Sequence, residues 1–231
     1  MAVIAISGDA AEFERGLRIS PCVREVNRIL QANGFDVRVF AADGGGGRAM
    51  EAAILAGEIA GVLDLNLSEL VNELAGGIHS AGPDRLTAAS LRGIPQVIVP
   101  GAVDGVSFGS KAPAKYAHRL FLQRSENFSL MRSSPEENDR LGREIALRVS
   151  ASSGPAAIVL PKRGVSESDQ EGSPFHWPEA DVTLFRSIRN WISPQVRMLE
   201  CDLHINEPEF AQIVAVLLIE MVGANRQAES Q

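Results

Sequence analysis

The sequence predicts an α/β protein with a doubly wound, mostly parallel, six-stranded Rossmann-like sheet in three layers. Three observations carry this prediction. Six apolar runs of strand length alternate with segments of helical period, as in βαβ repeats. A glycine turn, Asp43 to Gly47, separates one such strand from its helix, the arrangement found at the carboxyl edge of open α/β sheets. The 231 residues, 45% hydrophobic and 22% charged, suffice for one ordinary globular core. Residues 1–222 read as a single domain and residues 223–231 as a polar, frayed tail. The expected strand order is 3-2-1-4-5-6.

Ala2 to Ser7 is a continuous apolar first strand, ending in the polar turn Ser7-Gly8-Asp9. Pro21 suits the first turn of a helix from Cys22 to Ala32, closed by Asn33-Gly34. The second strand, around Val37 and Val39, runs into the glycines. A helix carrying Met50, Ala53, Ile54 and Leu55 follows, with Gly57 at its cap. Ile59 to Leu65 is the third strand, and Asn66 or Ser68 can cap the helix that runs to Leu74. A polar turn from Ile78 to Arg85 leads to a short helix ending at Arg92-Gly93, then to the fourth strand, Ile94 to Pro100. Gly101 to Gly109 reads as a long loop of small residues and FSLMR (128–132) as a short strand. Ser134-Pro135-Glu136-Glu137 is a helix start with cap, proline and early acids. Ala156 to Pro161 is the fifth parallel strand. Glu167 to Pro178 reads as a mobile loop or lid before a helix to Trp191. The sixth strand, Gln195 to Cys201, precedes a last helix from Glu207 to Val222.

Charge and cysteine usage narrow the function classes. A net charge of −7 and the lack of a basic stripe argue against a nucleic-acid partner. Cys22 and Cys201 stand far apart with no metal or redox spacing, and read as reduced thiols of a cytoplasmic protein. The amino terminus lacks the basic region of a signal peptide, and no stretch reads as a membrane span, so no membrane partner is expected.

The chemistry is expected at the carboxyl edge. Four glycines, Gly44 to Gly47, free backbone N–H groups at a helix start, and Arg48 adds a fork of donors; together they suit a phosphate or carboxylate. Ser7, Ser80 and Gly82 are possible neighbours, in a crevice between the first and fourth strands. Asp104, Arg163, Asp202, His204 and Asn206 form a second polar set. Arg163 is its best cationic anchor. Asp202 and His204 suit a base with its orienter or metal ligands, but no second His or Cys lies at ligand spacing, so no metal is assigned. The competing reading, in which Asp202 or Asn206 caps the last helix and His204 bonds locally, is favoured. His79, Ser80 and Asp84 lack the setting of a nucleophile elbow, and Cys22 reads as structural.

Several long strings carry a family resemblance: GGRAMEA (46–52), SAGPDRL (80–86), RGIPQVIVPGAVDGVSFG (92–109), LMRSSPEENDRLGREIA (130–146), LPKRGVSESD (160–169), PFHWPEAD (174–181) and HINEPEFA (204–211). The chain resembles the Tm-one-like ATP-binding domain family over nearly its whole length. The resemblance implies two tandem Rossmann-like subdomains, ATP binding and self-association, and in the plant member inhibition of viral RNA replication. This chain corresponds to the second subdomain only, without the first half and its G-T-x-D-T-K turn. The family loop G-T-G-G-R is matched by Gly44, Gly46, Gly47 and Arg48, with the threonine replaced by Gly45.

Three readings follow. The chain is a nucleotide- or phosphate-binding half of a larger assembly, holding ATP, with Mg accompanying the nucleotide, and completed by a second copy or a separate chain. Alternatively it is an enzyme acting on a sugar acid or acyl phosphate, with Arg163 as anchor and Asp202 or His204 moving a proton. Or it is an interaction subunit with no ligand.

Overall fold

The computed structural model describes residues 2–8 and 21–229; Asp9, the stretch 10–20 and the last two residues of the tail lie outside the described residues. The chain runs β1 (Val3–Ser7), α1 (Pro21–Ala32), β2 (Asp36–Phe40), α2 (Gly45–Leu55), β3 (Gly61–Asp64), α3 (Ser68–Ala75), α4 (Ala88–Arg92), β4 (Gln96–Ile98) and β5 (Gly105–Phe108). It continues through β6 (Phe121–Ser125), β7 (Phe128–Arg132), α5 (Pro135–Ser150), β8 (Ala156–Pro161), α6 (Pro178–Trp191), β9 (Arg197–Cys201) and α7 (Pro208–Glu229).

Alternation along β1 divides the core. Ile4 and Ile6 face one side of the sheet, packed with Leu63, Val97 and Val159 against α1 and α7 through Val26, Leu30, Phe210 and Val214. Ala5 faces the other side with Val62, against Met50 and Ile54 of α2. Ile98, Ile158 and Leu160 continue that layer against α3, α5 and α6, through Val71, Ile145 and Ile188. Two helical layers sandwich one sheet, as expected.

The order of the strands differs from the expectation. The six-stranded sheet runs β2-β1-β3-β4-β8-β9, with every neighbouring pair parallel. In the numbering of the parallel strands this is 2-1-3-4-5-6, not 3-2-1-4-5-6. The reason lies in the helices. Crossovers between parallel strands are right-handed, so successive steps in opposite directions need helices on opposite faces. Here α1 and α2 lie on opposite faces, so the chain steps outward to β2 and then back across β1 to β3. The direction reverses between β1 and β3, and the crevice moves there from its expected place beside the fourth strand.

Three local differences bear on the site. The loop expected from Gly101 to Gly109 contains β5, which pairs antiparallel with β7; with β6 they form a small sheet in the order β5-β7-β6. Within the segment expected as a mobile loop or lid, 167–178, Ser168, Asp169 and Phe175 are buried anchors, while Glu167, Gln170, Glu171 and His176 are exposed. Helix α7 continues to Glu229, seven residues beyond the expected stop at Val222. Contrary to expectation, its stretch Pro208–Gln227 is long and apolar enough to cross a membrane by length and composition alone, with mean hydropathy 1.3. Its stripe of Phe210, Ala211, Val214, Ala215 and Leu218 is buried against the sheet.

Candidate functional site

The crevice between β1 and β3 is filled by an ion network belonging to the chain itself. Arg85, just before α4, has a fully buried side chain. Its guanidinium grips Asp64 at the end of β3, with Nη1 to Oδ2 at 2.5 Å and Nη2 to Oδ1 at 2.7 Å. Its Nε donates to Glu69 Oε2 of α3 at 2.7 Å, and Nη1 also reaches Glu51 of α2 at 3.1 Å. Ser7 at the end of β1 donates to Asp64 and accepts from the Asn66 amide at 2.9 Å. One guanidinium thus faces three carboxylates. Burial pushes the Glu69 carboxyl above its ordinary range, against the pull of Arg85.

The glycine loop opens onto this network. The Gly44 and Gly47 amides donate to Glu69 Oε1, at 2.7 and 3.1 Å, and the Gly46 amide donates to Asp43 Oδ1 at 2.9 Å. A Cβ at Gly47 would run into the Glu69 carboxylate, and one at Gly46 into the backbone carbonyl of Ala41. The loop was expected to cradle an external anion; the anion it holds here is Glu69. With that side chain in place, the Gly44 and Gly47 amides are not open to a phosphate. Glu51 plays a similar part at the start of α4, accepting the Leu86 amide at 2.6 Å and the Ala88 amide at 2.8 Å. The expected neighbours do gather nearby. Gly44 φ is +86° and a Cβ there would run into Ser80 O, Arg48 donates to Ser80 O at 3.1 Å, and Ser80 Oγ accepts the Gly82 amide at 2.9 Å.

A second buried network sits on the other side of the sheet's carboxyl edge. Pairing of Gly105 with Arg132 brings the end of β7 beside Asp104, and the Ser133 amide donates to Asp104 O at 2.9 Å. Arg132, 1% exposed, donates through Nε to Phe175 O at 2.8 Å and through Nη2 to Asp181 Oδ1 at 2.8 Å, and lies 3.4 Å from Asp169. Asp169 accepts the Val165 amide at 3.0 Å, and Asp104 accepts the Ser166 hydroxyl at 2.7 Å. Again one guanidinium faces three carboxylates. Burial pushes Asp104 up, and pushes Asp181 up to about 7.

That network anchors segment 164–177, one wall of an open cleft of 640 Å³. Glu167, Glu171 and His176 of this segment line the cleft together with Arg163, Arg24 of α1, and His204, Asn206 and Glu207. Arg163 is exposed and lies 3.6 Å from Glu207. His204 is held through both ring nitrogens: Nδ1 accepts the Asn206 amide at 3.1 Å, leaving Nε2–H to donate to Ser166 O at 2.9 Å. A Cβ at Gly164 would strike that ring. The His204 amide donates to Glu207 Oε1 at 2.7 Å, so Glu207 caps the turn before α7, where Asp202 or Asn206 was expected.

The structure therefore joins Arg163, His204 and Asn206 in one cleft, with Asp104 behind it through Ser166. Asp202 is exposed and outside the cleft lining, so it is no partner for His204. His204 has no free nitrogen with which to move a proton. Cys22 is buried, and burial pushes its thiol up to about 12, consistent with a structural role. Among the described residues no group of three His, Cys, Asp or Glu side chains is placed to hold a metal ion. Sequence reasoning places Asp64 among the polar residues of the carboxyl edge but missed Glu51, Glu69, Arg85, Arg132, Asp169 and Asp181 as site-forming residues. Their signal, charges inside apolar segments that must be paired when buried, was present in GVLD (61–64) and LSEL (67–70).

The fold is a three-layer α/β fold on a parallel six-stranded sheet, whose carboxyl edge carries two buried ion networks and one open, charged cleft. The chain belongs to the family described as "Uncharacterised protein family (UPF0261) C-terminal domain", which it matches over residues 18–222. A UPF0261 protein of Clostridium tetani is 40% identical over 203 residues, covering 87% of this chain and 50% of that protein. The ToMV resistance protein Tm-1(GCR237) of Solanum lycopersicum is 34% identical over 218 residues, covering 92% of this chain and 29% of that protein. The chain thus spans about half the length of its bacterial relatives. Among solved structures, an esterase domain from Rhodothermus marinus aligns over 94% of this chain and 84% of its own, at 12% identity and a TM-score of 0.45.

Proposed function

We propose that this domain binds a small organic anion in the Arg163 cleft and acts as one half of a larger protein. The observation that carries the reading is the contrast between the two possible anion sites. The Gly44 and Gly47 amides are taken by Glu69 and the Gly46 amide by Asp43, whereas Arg163 and Arg24 reach an open cleft of the size small-molecule sites have. The length of the relatives supports a second half that completes the binding surface. Loop ends at the carboxyl edge of a parallel sheet are the general place for such ligands.

The test is a thermal-shift titration of this chain with ATP, ADP, phosphate and sugar acids, repeated on Arg163→Ala and Arg48→Ala. A ligand at a hundredfold excess over its Kd adds about 2.7 kcal/mol, which in a chain of this size raises Tm by about 5–10 °C. The reading expects that shift to vanish in Arg163→Ala and to survive in Arg48→Ala. Loss in Arg48→Ala alone would return the site to the glycine loop, and would require Glu69 to leave it.

A further inference from the structure

We infer that the ligand of the Arg163 cleft is a hydroxyl-rich organic monoacid, of the sugar-acid class, rather than a nucleotide; this rests on the cleft being the anion site. The charges argue first. Two guanidinium groups, Arg24 and Arg163, share the cleft with three carboxylates, Glu167, Glu171 and Glu207. Glu207 is committed to the His204 amide and to Arg163. With Arg163 paired to Glu207, Arg24 remains as the cation for one anionic group, and the five side chains already sum to one net negative charge, which disfavours a ligand of higher charge. A polyphosphate would meet two further exposed carboxylates, Glu167 and Glu171, in its own cleft and be repelled by them.

Hydrogen-bonding capacity argues second. An ionised carboxylate only accepts, so Glu167 and Glu171 call for donors on the ligand, and sugar hydroxyls supply them. Gln170 and Asn206 extend the same polar lining. The residue types of the described lining argue third. Purine sites are built from apolar and aromatic faces that sandwich the base. Of the described residues lining this cleft, Pro21 alone is apolar, and the only rings besides it are His176 and the already anchored His204.

The test is isothermal titration of the 231-residue chain with gluconate, glucuronate, propionate and ATP. Wild type, Arg163→Ala and Glu167→Ala/Glu171→Ala are compared, with thermal unfolding of each variant to confirm that it folds. All three substituted side chains are exposed, so the fold does not depend on them. The inference expects a sugar acid to bind saturably and propionate, which has the charge without the hydroxyls, at least tenfold more weakly. Arg163→Ala weakens the sugar acid tenfold or more. The double variant also weakens it, although the change removes two negative charges. That sign is diagnostic, because any ligand bound by charge alone would bind the double variant more tightly. Equal binding of propionate and the sugar acid, or tighter binding to the double variant, overturns the inference. Arg163-dependent binding of ATP without binding of a sugar acid overturns it while the anion-cleft reading stands. Binding of none of the four probes overturns both.

Discussion

Replacing Asp181 with asparagine isolates the charge balance of the buried Arg132 network. Three carboxylates, Asp104, Asp169 and Asp181, crowd one guanidinium, and burial holds the Asp181 proton until about pH 7. In the unfolded chain the same group releases its proton near pH 4. Between those values the folded state binds more protons than the unfolded one, so stability falls as pH rises from about 4 to about 7, then levels off. Each pH unit is worth about 1.4 kcal/mol, which sets a ceiling of about 4 kcal/mol on the swing. Because Asp181 does not titrate independently of its surroundings, about 2–3 kcal/mol is the expected part traceable to it. Asparagine at this position cannot titrate and still offers Arg132 an acceptor. Urea unfolding of both proteins at pH 5, 6, 7 and 8, followed by circular dichroism, gives the comparison. The wild type should lose stability over this range by about 2–3 kcal/mol more than the variant, with the two curves diverging toward high pH. Profiles that run parallel from pH 5 to 8 would refute the reasoning, since every other titrating group is common to both proteins.

The remaining predictions concern the fold around the glycine loop and one helix start. Arg85→Met removes the only cation from a network holding Asp64, Glu69 and Glu51. It should cost about 3–5 kcal/mol, read in a thermal melt as a Tm lower by about 6–20 °C; an unchanged melt would show the network to be unimportant for stability. Gly47→Ala drives a Cβ into the Glu69 carboxylate, whereas Gly45→Ala meets only Asp43 Oδ1 at 3.4 Å. The first should cost about 1–3 kcal/mol in urea unfolding, the second less than about 0.5 kcal/mol, and equal effects would contradict the packing described. Ser134→Ala breaks the capping box at the start of α5, where Ser134 Oγ accepts the Glu137 amide and the Glu137 carboxylate accepts the Ser134 amide at 2.8 Å. A loss of about 1 kcal/mol is expected, and Glu137→Gln should lose less because the amide can still cap.

Much was legible from local chemistry. Strand and helix type follow from the period of apolar residues, which is why the six parallel strands and most helices stand where the sequence put them. The start of α5 was readable because Ser134, Pro135 and Glu137 act on backbone groups within one turn. The glycine loop was readable as a turn for a similar reason, since Gly44 has to adopt φ +86°. That Gly44, Arg48, Ser80 and Gly82 lie together was also visible in the sequence.

What only the tertiary structure decided is everything that depends on which face an element takes. Nothing in the residues of α2 says that it packs opposite α1, yet that choice alone changes the strand order and moves the crevice from the fourth strand to β3. Glu69 lies 22 positions after Gly47, and only the fold brings its carboxylate onto the loop amides that a sequence assigns to a ligand. Asp104, Arg132, Asp169 and Asp181 are spread over four separate segments, and their partnership exists only because β5 and β7 pair. The sequence by itself determined the layers, the edge and the presence of Arg163 on it. Long-range charge pairing is set by burial, which is a property of the assembled sheet, and so the tertiary structure decided which donors remain open to a ligand.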